Sequence, residues 1–286
     1  RDLHSFPTRR SSDLNFKYDI SPELTGKASY SRMHQSSVTT ANENDVIPLF
    51  EVWLKMQKPY EPETSDQFVL GVEGVISDFM DYSVSIFTKS LNNIMGYNTN
   101  KKSPLDTDFN FGSGTSSGIE CFLKFDLHNY FGWATYTYSK SEKNINGISY
   151  PPRFDKTHSI NALIGANLPY DLKFTLQWEF SSGMPFSPIV GYFDKQDYKN
   201  VPDSYFYDYG ERTAKYGKMN SRRLPVYHRM DLSLSKYFAF DDIAFHLNFD
   251  LINVYDQKNI FYFDPETGNR TNMVPFMPSL SVGVEL

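Results

Sequence analysis

From residue 15 to residue 286, apolar and polar residues take turns along stretches of about ten, and the connectors between stretches are short and long in strict succession. In the clearest stretch Leu172, Phe174, Leu176, Trp178 and Phe180 alternate with Lys173, Thr175, Gln177, Glu179 and Ser181. The same period sets Phe245, Leu247, Phe249 and Leu251 against His246, Asn248 and Asp250. It also sets Leu280, Val282, Val284 and Leu286 against Ser279, Ser281, Gly283 and Glu285. Successive side chains of a strand point to opposite faces, so each stretch has one apolar and one polar face. A helix would scatter the same residues around its axis.

The pattern predicts ten strands, at about 15–20, 24–34, 67–77, 82–94, 118–127, 131–139, 159–168, 172–182, 226–238 and 243–253, with an eleventh element at 277–286. Tight turns fall at 21–23, 78–81, 128–130, 169–171 and 239–242. Connectors of 19 to 43 residues fall at 35–66, 95–117, 140–158, 183–225 and 254–276. Compact soluble domains seldom carry structureless loops beyond ~12–15 residues. With antiparallel neighbours, all turns lie on one rim and all long loops on the other. The expectation is therefore all-β, an antiparallel transmembrane β-barrel portion of about 10–11 strands in the bacterial outer membrane. Its apolar face meets outer-membrane lipid, its polar face looks inward, its short rim is periplasmic and its long rim extracellular.

Composition agrees once the pattern is known. Mean hydropathy is −0.48, and no apolar run reaches the ~18 residues a spanning helix needs. A transmembrane barrel can be hydrophilic on average, because only every second residue meets lipid. Against 28 basic residues stand 34 acidic ones, a net charge of −6, which offers nothing to nucleic acid. The single cysteine, Cys121, excludes an internal disulfide framework.

Residues 1–14 lack both an initiator Met and the apolar core of an export signal, and they resemble translated sequencing-adapter read-through. They are set aside as an adapter artefact, leaving 15–286 as the expected barrel segment of a chain that began upstream.

Several motifs, in order, carry a family resemblance. Glu61-Pro62-Glu63-Thr64-Ser65 leads into Phe68-Val69-Leu70-Gly71-Val72-Glu73. Further on stand Ser117-Gly118-Ile119-Glu120, Tyr150-Pro151-Pro152-Arg153-Phe154-Asp155-Lys156-Thr157-His158 and Ser182-Gly183-Met184-Pro185-Phe186. The last are Asn220 to Asp231 and Asn253-Val254-Tyr255-Asp256-Gln257-Lys258-Asn259. Together they resemble the carboxy-terminal barrel half of TonB-dependent outer-membrane receptors. The resemblance implies half of a barrel of about 22 strands, with the plug domain and the segment that engages TonB absent from this chain. It also implies insertion by the barrel-assembly machinery, although Leu286 stands where the family commonly ends on an aromatic residue.

Candidate site residues follow from the faces. Glu73, Glu120, Lys124, Glu179, Arg229, Asp231, His246 and Asp250 have apolar strand neighbours and so point to the lumen; they form either a polar network holding plug or water, or part of a substrate path. In the 183–225 loop Tyr192, Tyr198, Tyr205, Tyr207 and Tyr209 either grip a bulky ligand or form a small extracellular core. Tyr30, Tyr82, Tyr130, Phe131, Tyr136, Tyr138, Tyr170 and Tyr237 are candidates for interfacial girdles. Gly112-Ser113-Gly114 reads as flexible loop. Six scattered histidines lack ligand spacing, and no cofactor site, metal site or catalytic constellation is visible, so no enzyme is expected. The resemblance implies active uptake of a scarce bulky nutrient, of siderophore, cobalamin or glycan class, with energy supplied through TonB. A passive porin-like channel is the alternative.

Overall fold

The computed structural model describes residues 8–40, 52–56, 60–98, 101, 103–195, 211–240, 243–264 and 267–285. Among them every regular element is a strand. One sheet organises the chain. Its path runs β1 (Thr8–Ser21), β2 (Leu24–Gln35), β5 (Glu63–Ser77), β6 (Met80–Tyr97), β7 (Phe109–Leu127) and β8 (Tyr130–Ile145). It continues through β10 (His158–Leu168), β11 (Leu172–Ser181), β16 (Tyr227–Phe240), β17 (Ile243–Ile252) and β20 (Met277–Glu285). Every pairing along it is antiparallel. Among the described residues β1 and β20 each pair on one side only, so the sheet is a barrel wall that does not close on itself.

Smaller pieces lie in the long connectors, all at one rim. These are the hairpins β3 (Ser37–Thr40) with β4 (Val52–Lys55), β13 (Ile189–Lys195) with β14 (Glu211–Tyr216), and β18 (Ile260–Phe263) with β19 (Arg270–Asn272). Two further pairs are β12 (Pro185–Phe186) with β15 (Arg222–Arg223), and β9 (Ile148–Tyr150) with β8. Asn146 and Gly147, both at positive φ, make the tight turn between β8 and β9.

Register decides which side chains share a face. One row passes through Phe16, Ala28, Leu70, Ile86, Ile119, Tyr138 and His158. Ile164, Leu176, Leu232 and Leu251 form another. These rows are not packed against a second sheet: Leu70 is 56% exposed, Ile86 51% and Ile164 54%. Water does not tolerate so broad an apolar surface, whereas hydrocarbon does. The buried apolar side chains, Val38, Met56, Ile94, Ile145 and Tyr150, gather instead under the long rim.

The structure corrects several boundaries. Strand pairing begins at Thr8, and the wall strands run further into the long rim than alternation alone predicts, to Tyr97 in β6 and Ile145 in β8. The supposed flexible loop Gly112-Ser113-Gly114 lies inside β7, paired on both sides. Its glycines are there for close approach: a Cβ on Gly112 would meet the Asn144 carbonyl at 2.0 Å. Two of the proposed girdle aromatics face the polar side. The Phe131 ring covers Gly165, where a Cβ would fall 2.1 Å from it, and Tyr237 pairs with His246, their ring centroids 4.8 Å apart.

Candidate functional site

All eight charged or ionisable candidates fall on the polar face. Glu73 sits on β5, Glu120 and Lys124 on β7, Glu179 on β11, Arg229 and Asp231 on β16, and His246 and Asp250 on β17. Glu73 accepts a hydrogen bond from Lys27 and lies 3.6 Å from Lys17, bridging β5 to the first two strands. At the other end Glu179 stands across from Arg229 in the β11–β16 register. Its carboxylate accepts from the Tyr227 hydroxyl at 3.1 Å and from the Gln177 amide at 3.5 Å. The Arg229 Nη2 lies 2.9 Å from Asp231, whose other oxygen accepts the Asn253 N–H at 2.8 Å. Glu120, Lys124 and Asp250 share this face without being drawn into either cluster by a contact of this kind.

The long rim holds residues that sequence reasoning quoted within motifs and assigned no role. Arg223 forms an ion pair with Asp155, whose carboxylate is 1% exposed, and its Nη1 also donates to the carbonyls of Asp155 and Gly183, each at 3.1 Å. The second Asp155 oxygen accepts the Ser141 N–H at 2.9 Å. Buried Asn220 donates its amide to the Pro151 carbonyl at 2.9 Å and its N–H to Ser187 Oγ at 3.1 Å. Asn253, fully buried, donates to the carbonyls of Gln257 and Val274, each at 3.0 Å. Residues 146–157 and 182–226 are thus bonded to each other at their bases, while Asn253 ties the start of 253–276 to that segment's own end and to β16. The signal that could have found these residues is the recurrence of Asn and Asp at loop bases, where their short polar side chains replace missing strand partners.

On the outer face of the same rim, Tyr136 and Tyr255 contact His158 and His228 at 3.0 and 2.9 Å. Burial lifts the Tyr255 phenol above its ordinary pKa, opposed by a hydrogen bond with Trp178 and assisted by the Asp231 carboxylate.

Above the polar face the rim encloses a cavity of about 690 Å³, lined by Arg153, Phe154, Phe186, Ile189, Tyr192, Phe263 and neighbours. Of the loop tyrosines, Tyr192 belongs to this lining and has the Arg212 guanidinium 4.0 Å over its ring. Tyr198, Tyr205, Tyr207 and Tyr209 lie outside the described residues. Among the described residues no group of three or more His, Cys, Asp or Glu side chains is placed to hold a metal. The arrangement can bind and position a ligand through apolar contact and hydrogen bonds.

Comparison with known proteins gives a consistent result. The family model described as TonB dependent receptor-like, beta-barrel, matches residues 4–256. No curated protein matches the chain. Among solved structures, the ferric citrate transporter FecA in its unliganded form superposes with a TM-score of 0.61 at 16% identity, over 95% of this chain and 37% of that one. The outer membrane transporter YddB from Escherichia coli gives 0.61 at 14% identity, covering 94% and 39%. The ferric-catecholate import receptor Fiu from E. coli K12, in its closed form, gives 0.58 at 12%, covering 94% and 34%. The chain therefore spans little more than a third of the length of these neighbours.

Proposed function

The chain belongs to the TonB dependent receptor-like β-barrel family, and from that premise we propose that the protein containing it is an outer-membrane receptor that captures a nutrient at its long rim and passes it inward along the polar face of the barrel. The solved neighbours are named as transporters or an import receptor, one of them of the outer membrane, and two of their names specify ferric ligands. The observation that carries the reading for this chain is the asymmetry of its rims. Among the described residues one end has only tight turns, while the other has folded hairpins bonded at their bases around a cavity. Binding energy at such a rim is available for capture, and release to the periplasm then requires work supplied from elsewhere. TonB is the partner the family reading assigns to that work, and outer-membrane lipid and the barrel-assembly machinery complete the expected partners.

The test is uptake by cells expressing the intact gene in a background that lacks its own receptors. A panel of labelled ferric siderophores, cobalamin and oligosaccharides is presented with and without functional TonB. The reading expects one class to accumulate, and accumulation to stop without TonB. Uptake of small solutes in general, unaffected by TonB loss, would instead favour a passive channel.

A further inference from the structure

Beside the 690 Å³ cavity lies a smaller one of about 260 Å³ on the polar face, and the two share Met184 and Leu224 in their linings. Where they meet, the Leu224 N–H donates to the Met184 carbonyl at 3.0 Å, and the adjoining residue Arg223 is held by Asp155 and Gly183. The chambers differ in chemistry. Among the described residues Arg153 is the one formally charged residue lining the larger; half of its other lining residues are Phe, Pro, Ile and Val, and Ser187 and three tyrosines add hydroxyls. The smaller sets polar groups, Glu179, Tyr227, Lys156 and Ser181, among apolar ones such as Val226, Ile260 and Met273.

Ser181 is the informative member. The residue is 3% exposed, it lines the smaller chamber, and among the described residues its hydroxyl has no hydrogen-bond partner. A buried hydroxyl left unmatched costs about 1–3 kcal/mol, so a ligand group that supplies the missing bond gains by doing so. The Glu179 carboxylate nearby accepts from Tyr227 and Gln177 and retains acceptor capacity for a further donor.

We propose that the two chambers form one binding site for an amphipathic ligand, with an apolar body in the larger chamber and a hydrogen-bond-donating head, amine or hydroxyl, reaching past Met184 and Leu224 to Ser181 and Glu179. The charge and polarity argue for this class. A polyanionic chelate would find Arg153 as the one charged group among the described lining residues of the larger chamber, and the Glu179 carboxylate set against it in the smaller. The larger volume lies within the ~300–1,000 Å³ range of small-molecule sites. This inference rests on the capture reading above and deepens it by naming the ligand's chemistry.

The test uses the intact receptor in lipid nanodiscs and three probes with one aromatic body: 2-naphthylmethylamine, 2-naphthylmethanol and 2-methylnaphthalene, followed by calorimetry. The amine and alcohol are expected to bind at least tenfold more tightly than the methyl compound. Ser181→Ala weakens both by roughly three- to tenfold, Glu179→Gln weakens the amine more than the alcohol, and Phe186→Ala weakens all three. Equal binding of the three probes, or binding of the amine and alcohol indifferent to both Ser181→Ala and Glu179→Gln, overturns the site. Either result leaves TonB-dependent uptake standing, whereas uptake independent of TonB removes the capture reading itself.

Discussion

The side chain of Asn259 treats the main chain of His228 as a neighbouring strand would: its amide donates to the His228 carbonyl at 2.8 Å, and its Oδ1 accepts the His228 N–H at 3.2 Å. This pairing caps the long-rim end of β16 and pins the connector that follows β17. In Asn259→Ala both main-chain groups lose their partners, a cost of about 1–3 kcal/mol. Hydrogen exchange at the His228 amide is expected to quicken by one to two orders of magnitude, while amides at the centre of β16 keep their protection.

The Asp155–Arg223 pair makes a sharper prediction. Asp155 is buried with its charge matched by one guanidinium, so Arg223→Met strands a carboxylate. Removing one partner of a buried pair costs about 3–5 kcal/mol, and part of that is recovered here because Arg223 is 38% exposed. An effect of about 2–3 kcal/mol on long-rim opening is expected, read as faster protease cleavage within 140–158 and 183–225. The double variant Asp155→Leu with Arg223→Met is less damaged than the sum of the singles.

Much of the wall was legible because its physics is local. Period two along Leu172–Ser181 and along 243–252 follows directly from side chains meeting two different media, and the eleven strands of the wall match the eleven predicted segments. What alternation could not reveal lies where no lipid sorts the residues. Gly112 to Ser117 is paired strand despite its Ser/Gly composition, because neighbours on both sides supply the bonds. Phe131 and Tyr237 look like girdle residues until register places them on the polar face, one over Gly165 and one beside His246. The loop-base clasps depend on contacts between residues up to 69 apart, as from Asn220 to Pro151, which no local pattern encodes. Asn146-Gly147 was the readable exception, a turn signal inside a connector taken as a whole to be loop.

Gly165 should tolerate no side chain while Phe131 stands over it. Gly165→Val places atoms where the Phe131 ring already sits, so the ring must swing away and its cover of the β8–β10 strands is lost. A destabilisation of about 1–3 kcal/mol is expected from overpacking. Adding Phe131→Ala recovers part of it, measurable as the urea midpoint for unfolding from lipid vesicles.

The two faces of one strand should respond oppositely to charge. On β17, Phe249→Arg puts a guanidinium on the apolar face, at about 2–4 kcal/mol near mid-membrane, whereas Asn248→Arg on the polar face stays within about 0.5 kcal/mol, as a solvent-facing substitution does. Folding yield into vesicles and the urea midpoint report the difference.

The most direct measurement is a nitroxide scan of residues 243–252 in the intact protein reconstituted in lipid, reading each label's accessibility to oxygen, which concentrates in hydrocarbon, and to a water-soluble nickel chelate. Two opposed period-two waves are expected, with labels at 245, 247, 249 and 251 meeting oxygen and those at 246, 248 and 250 meeting nickel. Labels of both sets protected from oxygen and nickel alike, as between two packed sheets, would contradict a wall with lipid on one side and water on the other.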